Sequence, residues 1–300
     1  RRVADRFALV AMGGELATKW GLTGWESGAA LAAAGTCFQA WLAGRGGEGG
    51  AGPVLSTIMT SAPRFLRLDA LRGLAMVWMT VFHFCFDLNQ AGWLQPRQSF
   101  TDDPFWTGQR LVIVSIFLLC VGLSQAVARQ ARVPTRRFLR RWLQIAGCAV
   151  LVSLGSMWMF PNSWISFGVL HAVAVMLPLL RWLPLGAIGW AVLGTVALLL
   201  PAFVAHPWFD GRWTNWIGLV TRLPVTQDYV PLLPWLGVAA WGQAIGLGVL
   251  ARWPALLQGP LPAGLPADAL VWMGRHALSW YMLHQPVMIG AITAAGWLLR

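Results

Sequence analysis

From Leu71 to the C-terminus the chain is a succession of apolar stretches, with most of its arginines held in the connections between them. We read seven such stretches, at about 71–92, 108–128, 142–160, 164–182, 185–205, 231–251 and 270–298. Each approaches the ~20 residues that an α-helix needs to cross the hydrocarbon of a bilayer. A backbone in lipid has no water to bond, so helices that satisfy their own polar groups are the expected form. With 57% hydrophobic and 11% charged residues, the chain falls far below the ~25% charged content of soluble domains. It is too apolar for a disordered protein, and it lacks the patterns of a collagen, a coiled coil or a secreted disulfide scaffold. The fold class expected is all-α: a polytopic membrane helix bundle of about seven transmembrane helices, preceded by a short non-membrane extension.

Residues 1–58 differ from the rest. They mix charge with short amphipathic stretches, such as Ala29 to Leu42, and lead into the run GRGGEGGAGP, Gly44 to Pro53, which reads as a flexible linker. The domains expected are therefore an extension and linker at 1–58 and a membrane domain at 59–300. Met59, in IMTSAPRFLRLDALRG, reads as a natural start, so the extension is expected to derive from an upstream frame or a gene fusion.

The net charge of +11 invites a nucleic-acid reading, but lysine occurs only at Lys19 and the arginines cluster between apolar runs. That distribution suits loops held on the cytoplasmic side, so nucleic acid is not an expected partner. With the start of the first span inside, Arg64, Arg67, Arg72, Arg129, Arg132, Arg136, Arg137, Arg140, Arg141, Arg181, Arg252 and Arg275 fall on the cytoplasmic side. Arg97, Arg110, Arg212, Arg222 and Arg300 fall outside, and Trp93, Trp106, Trp164, Trp208, Trp213 and Trp216 gather at outer boundaries as an interfacial belt. The expected location is the inner (plasma) membrane, multi-pass, with a cytoplasmic N-terminus. Cys37, Cys85, Cys120 and Cys148 form no CxxC pair and no metal spacing.

Ionisable groups inside lipid are costly and mark function. In LDALRGLAMVWMTVFHFCFDLN, Arg72 and His83 are eleven positions apart, which is ~3.06 turns or ~16.5 Å along one helix face. Asp87 follows His83 at i+4, within reach to orient its imidazole. Each has a plainer reading: Arg72 as a positive-inside anchor, and His83 as a core histidine bonded to a neighbouring helix. The alternating topology puts His171 ~10 Å below the outer surface and His284 ~21 Å from the inner one, so His83, His171 and His284 share a depth. Metal binding by the three is possible, but no carboxylate–histidine spacing demands it. In GRHALSWYMLHQP, Arg275 stands near the cytoplasmic end, on the face opposite His284 if the helix is unbroken, and Pro286 predicts a kink. Gln285 offers a donor and an acceptor; the plain reading of the segment is a packing seam. In the loop TNWIGLVTRLPVTQDYVPLLPW, Trp213, Trp216, Tyr229 and Trp235 could stack on a sugar, with Asn215, Arg222, Gln227 and Asp228 bonding it. Interfacial anchoring is the alternative.

The stretches RLDALRGLAMVWMTVFHFCFDLN, SWISFGVLH, NWIGL followed by QDYVPLLPW, and GRHALSWYMLHQP resemble the bacterial branch of the heparan-alpha-glucosaminide N-acetyltransferase-like integral membrane family, from about Arg64 to Arg300. Arg72 and His83 also match the Arg-x10-His pattern of the wider acyltransferase-3 superfamily. Separately, RFALVAMGGELATKWGLTGW followed by CFQAWLAGRGG is similar to the tail of a phage- or plasmid-type helicase/primase-like protein, over the extension alone. The membrane resemblance implies acyl transfer from cytoplasmic acetyl-CoA, used as acyl-donor substrate without a metal, to a carbohydrate hydroxyl or amine across the bilayer, with Arg72 and His83 the essential pair. A histidine that the animal enzymes carry in the first outer loop has no counterpart in GWLQPRQSFTDDPFW, so heparan itself is not the expected acceptor.

On this reading Arg72 and Arg275 attract the phosphates of CoA, helped by Arg136, Arg137, Arg140 and Arg141. His83 is the general base or takes the acetyl group itself, and Asp87 holds its tautomer. His284 with Gln285 stabilises the oxyanion or positions the acceptor. Arg110 pairs with Asp87 or binds an anionic acceptor, and His171, Asn215, Trp216, Asp228 and Tyr229 complete the expected substrate-binding set. The partners expected are the bilayer, acyl-CoA and a glycan, with a homodimer left open. The rival is a transporter or flippase that uses the same His, Asp and Arg residues without covalent chemistry; a visible inverted repeat would favour it, and none is evident.

Overall fold

A computed structural model describes residues 65–259, 261 and 264–298, together with 7–8, 10–12, 14–15, 18, 25–26 and 28–43 of the extension. The Gly-rich stretch from Gly44 to Pro53, Met59 and Arg300 lie outside the described residues. The chain divides into two compact units, 1–64 and 65–300. In the first, helix α1 covers Ala29–Ala43. The Glu15 carboxylate accepts the backbone N–H groups of Gly28 (2.9 Å) and Leu31 (3.1 Å) at its start.

The second unit is helical throughout, apart from connections and one isolated bridge between Phe167 and Tyr229, among the described residues. Its helices are α2 (Leu66–Gln90), α3 (Pro104–Gln130), α4 (Thr135–Met159), α5 (Val169–Trp182), α6 (Ala187–Phe203), α7 (Leu232–Arg252), the single turn α8 (Ala255–Gln258), α9 (Leu265–Arg275) and α10 (Ala277–Leu298). Among the described residues, α2, α3, α4 and α7 are long and apolar enough to cross a membrane. With 14 and 17 residues, α5 and α6 span only ~21 and ~26 Å, against ~30 Å of hydrocarbon. The last expected span, 270–298, is divided at His276 (φ −101°, ψ 18°) into α9 and α10, and the chain stays helical through Pro286. In α10 the polar pair His284–Gln285 interrupts the apolar run.

Contacts between helices fix their directions. Arg72 meets Ser124 while Trp78 meets Gln109, so α2 and α3 are antiparallel. Trp142 with Ala174 and Ser153 with His171 set α4 antiparallel to α5. Gly194 against Trp241 and Leu198 against Gly237 do the same for α6 and α7. Gly122 presses on the backbone of Gly242, and Gly246 on the side chain of Ala126, so α3 and α7 run parallel. The α5 and α7 starts also lie side by side, where Val169 and Tyr229 meet Asp228 and Phe167, and Gln243 reaches Leu180 further along. Direction therefore alternates from each helix to the next through α7, and α9 and α10 run parallel to α2.

A glycine seam sets the distance between α2 and α9. At Gly73 a Cβ would stand 1.9 Å from the carbonyl oxygen of Leu270, and at Gly274 one would stand 1.8 Å from that of Asp69. Only glycine allows the α2 and α9 backbones to meet so closely. The core gathers α3, α5, α6 and α7 around Leu118, Met176, Leu180 and Trp190. Large apolar side chains remain on the outside, Ile188 at 82% and Phe203 at 83% exposure among them, as a lipid-facing surface requires.

Candidate active site

Along α2 three polar levels face α9 and α10, and the partners keep a nearly constant sequence offset. Arg72 Nη1 donates to the Gly274 carbonyl (3.2 Å, offset 202), and Trp280 Nε1 donates to Thr80 Oγ1 (2.8 Å, offset 200). His83 Nδ1 lies 2.8 Å from His284 Nε2 (offset 201), and Gln285 Nε2 donates to both Asp87 oxygens (2.9 and 3.1 Å, offset 198). A steady offset is the signature of two helices climbing together, so the equal depths of His83 and His284 become an actual contact.

The lowest level is ionic. Arg72 Nη1 pairs with Asp69 Oδ1 at 3.1 Å, and Arg275 Nε approaches Asp69 Oδ2 at 3.5 Å. Arg72 Nη2 donates to Ser124 Oγ at 2.7 Å. One carboxylate thus joins the two guanidiniums from which CoA binding was expected. The break at His276 turns Arg275 toward α2, so Arg275 and His284 face the same helix rather than opposite sides. Asp69 and Ser124 were not among the expected residues. The Asp-x-x-Arg spacing of Asp69 was a readable signal; Ser124, 52 positions from Arg72, had none.

At the middle level the hydrogen bonds determine the tautomers. His284 Nδ1 faces only backbone carbonyls, those of Tyr281 (2.8 Å) and Trp280 (3.2 Å), so it carries a proton. In a neutral ring His284 Nε2 is then an acceptor, and His83 Nδ1 must donate to it. His83 Nε2 is left as the lone-pair nitrogen. The expected orienter, Asp87, is instead engaged by Gln285, and His284 holds the His83 tautomer. The same bonds leave His284 no free N–H for an oxyanion. The Gln285 amide is committed to Asp87, while its buried Oε1 has no protein partner. Between the ionic and imidazole levels lies an apolar cluster that includes Met76, Met79 and Ala277, with Met273 and Trp280 packed against it.

The remaining expected residues stand apart from these levels. His171 Nδ1 accepts the Gly168 N–H (3.2 Å), and its Nε2 meets Ser153 Oγ (3.0 Å). Both nitrogens serve the α5 start, and the ring does not join the other two. Asp228 Oδ2 accepts the Val169 N–H at 2.9 Å. Burial pushes the Asp228 carboxyl up, opposed by that N–H and by the Arg110 guanidinium, so the acid in the field of Arg110 is Asp228. Tyr229 donates to the Asn215 carbonyl (2.7 Å), and Trp216 packs on Phe167 with centroids 5.8 Å apart. Asn215 is buried, at 2% exposure, with its Oδ1 unpartnered. Trp235 packs against the core while Trp213 stands out in the open, so the loop aromatics do not combine into one stacking face. Among the described residues no group of three His, Cys, Asp or Glu side chains could hold a metal ion.

Residues 64–286 match the family model described as Heparan-alpha-glucosaminide N-acetyltransferase, catalytic. No curated protein and no solved structure was found to match the chain.

Proposed function

The chain belongs to the heparan-alpha-glucosaminide N-acetyltransferase catalytic family, and from that premise of a membrane acetyltransferase we propose that it moves an acetyl group from cytoplasmic acetyl-CoA to a carbohydrate hydroxyl or amine on the outer side. The observation that carries the reading is the His83–His284 bond, which leaves a fixed lone pair on His83 Nε2. That nitrogen takes the proton of the acceptor O–H or N–H as the acceptor heteroatom attacks the thioester carbonyl carbon. The C–S bond then breaks, the CoA sulfur leaves as thiolate, and the imidazolium returns the proton to it. His284 is a positioning residue, because it sets which His83 nitrogen carries hydrogen. Gln285 Oε1 is a buried acceptor available to an incoming O–H or N–H.

Arg72 and Arg275 receive the CoA phosphates, with Asp69 spacing the two guanidiniums. The distance from Arg72 to His83 is ~16.5 Å along α2, a span suited to the pantetheine arm. Met76, Met79 and Met273 lie along that interval, and unbranched thioether side chains yield to an inserted chain. The alternating helix directions support seven successive crossings, with short α5 and α6 accommodated by the irregular segments before and after them. Nothing in the first outer loop replaces the histidine of the animal enzymes, so the acceptor is read as a glycan other than heparan.

The test is a thermal-shift titration of purified protein with acetyl-CoA. Saturable stabilisation, weakened in Arg72→Ala, is the expected result. Stabilisation by transported solutes with no response to any acyl-CoA would favour the transporter and overturn the assignment.

A further inference from the structure

Between Asp103 and Asp210 the chain contains no acidic residue, yet it carries six arginines between Arg129 and Arg141. All six are exposed. Arg129 Nη1 donates to the Leu185 carbonyl at 2.8 Å, and Arg181 donates to the carbonyl of Val133. These two bonds tie the last turn of α3 to the connection before α6, and the last turn of α5 to the connection before α4. Arg132 sits in that connection with φ of +47°, the left-handed residue that closes the end of α3: its N–H and that of Val133 donate to the carbonyls of Arg129 and Ala128. Arg136, Arg137 and Arg140 then occupy the first two turns of α4, which has no acid in its first turn. Cations there oppose the positive end of the helix dipole, and the ion pairs among the described residues, Arg72–Asp69 and Arg275–Asp69, neutralise none of them.

The surface that continues from these arginines identifies the counter-ion. On the stripe of Arg136 and Arg140 the following positions are Leu143, Gly147, Leu151, Leu154 and Trp158, all exposed. α4 is also the least buried of the four long apolar helices. A cationic collar on a lipid-facing stripe lies where phospholipid headgroups lie. We propose that Arg132, Arg136, Arg137 and Arg140 form a binding site for anionic phospholipid headgroups on the face that bears these arginines. A lipid phosphate supplies the charge that the protein lacks, and its acyl chains cover the stripe from Leu143 to Trp158.

The test compares phosphatidylglycerol with phosphatidylcholine, added to the detergent-purified full chain and read by native mass spectrometry and thermal stability. Phosphatidylglycerol is expected to be retained and to raise Tm, the effect falling with salt. A cationic side chain near such a surface contributes about fivefold in affinity. The triple variant Arg136→Gln, Arg137→Gln, Arg140→Gln should therefore bind about a hundredfold more weakly. The single variants and a triple lysine variant, which keeps the charge and most of the binding, cover the case in which the triple glutamine variant fails to fold. Equal retention of phosphatidylcholine, or unchanged retention of phosphatidylglycerol in the glutamine variants, overturns the proposal. Two other results overturn it: full protection by soluble glycerol phosphate, which marks a free-phosphate site, and loss of a dimer in the variants, which marks an interface between copies. Acetyl-CoA plays no part in the readout, so the outcome is independent of the catalytic reading.

Discussion

At His83 the i+4 rule and the tertiary fold make different demands. Within an isolated helix Asp87 is the natural neighbour of His83. In the bundle α10 brings up two side chains, and each takes the partner that suits its donors. Gln285, with an amide N–H to give, takes the carboxylate, and His284, with Nδ1–H already bound to backbone carbonyls, offers Nε2 as an acceptor to His83. The Arg72–His83 spacing was legible because it lies along one helix, and the shared depth of His284 followed from counting. Lateral pairing was not legible, because it depends on how two helices rotate against each other. Substitutions separate the roles. His83→Ala should abolish acyl transfer without changing membrane insertion. His284→Ala leaves the His83 tautomer unset and should lower kcat by about 10²–10⁴-fold, with partial recovery in His284→Gln, which restores an acceptor. Asp87→Asn keeps an oxygen for Gln285 and should cost less than about tenfold in the same assay. A larger loss in Asp87→Asn than in His284→Ala would return the orienting role to Asp87.

Among the elements, the apolar runs announced the helices, but their ends were set by features that hydropathy does not register. The expected span at 164–182 begins at Val169, because residues 163–168 run beside 226–231. There Gln227 N–H donates to the Ser163 carbonyl (2.9 Å) and Val230 N–H to that of Phe167 (3.3 Å). Backbone committed to a neighbouring segment is unavailable to a helix. Pro286 signals a kink in sequence, yet the interruption falls at His276, one residue after Arg275 turns to Asp69. The glycine seam between α2 and α9 is a further feature that composition hides. Chemically identical glycines on helices differ only in what stands beyond them. Gly73→Ala drives a methyl into the Leu270 carbonyl, whereas Gly147 has nothing within 4 Å. Thermal unfolding in detergent should show a loss of about 1–3 kcal/mol for Gly73→Ala. For Gly147→Ala it should show no loss, or a gain of up to ~1 kcal/mol from helix propensity. Because Gly274 O also receives Arg72, Gly73→Ala should weaken acetyl-CoA binding as well, an effect that a seam without function would not produce.

For the whole molecule, arginine counting and helix direction are independent lines that lead to the same arrangement. The charge rule requires Arg72, Arg129–Arg141, Arg181, Arg252 and Arg275 to share one end. In the structure Arg72, Arg141 and Arg275 belong to one neighbourhood, since Arg72 and Arg275 share Asp69 and Arg141 lies in the field of Arg72. The loop with Trp208, Trp213 and Leu223 leaves the far ends of α6 and α7. What one chain's sequence cannot reveal is which helices are neighbours: α2 is beside α9 and α10 and α3 is beside α7, pairs more than 100 positions apart brought together by small residues and by polar side chains that need partners in lipid. On the proposed reading, which end faces the cytoplasm decides the chemistry, because acetyl-CoA supplied from inside would have to reach Arg72 first. In a background lacking Cys37, Cys85, Cys120 and Cys148, a single cysteine at exposed Leu223 should react with a membrane-impermeant maleimide on intact cells. One at exposed Arg132 should react only after permeabilisation. The opposite pattern would put the Asp69–Arg72–Arg275 cluster on the outer side, where no acyl-CoA is supplied, and the donor assignment would fail while the paired histidines remained.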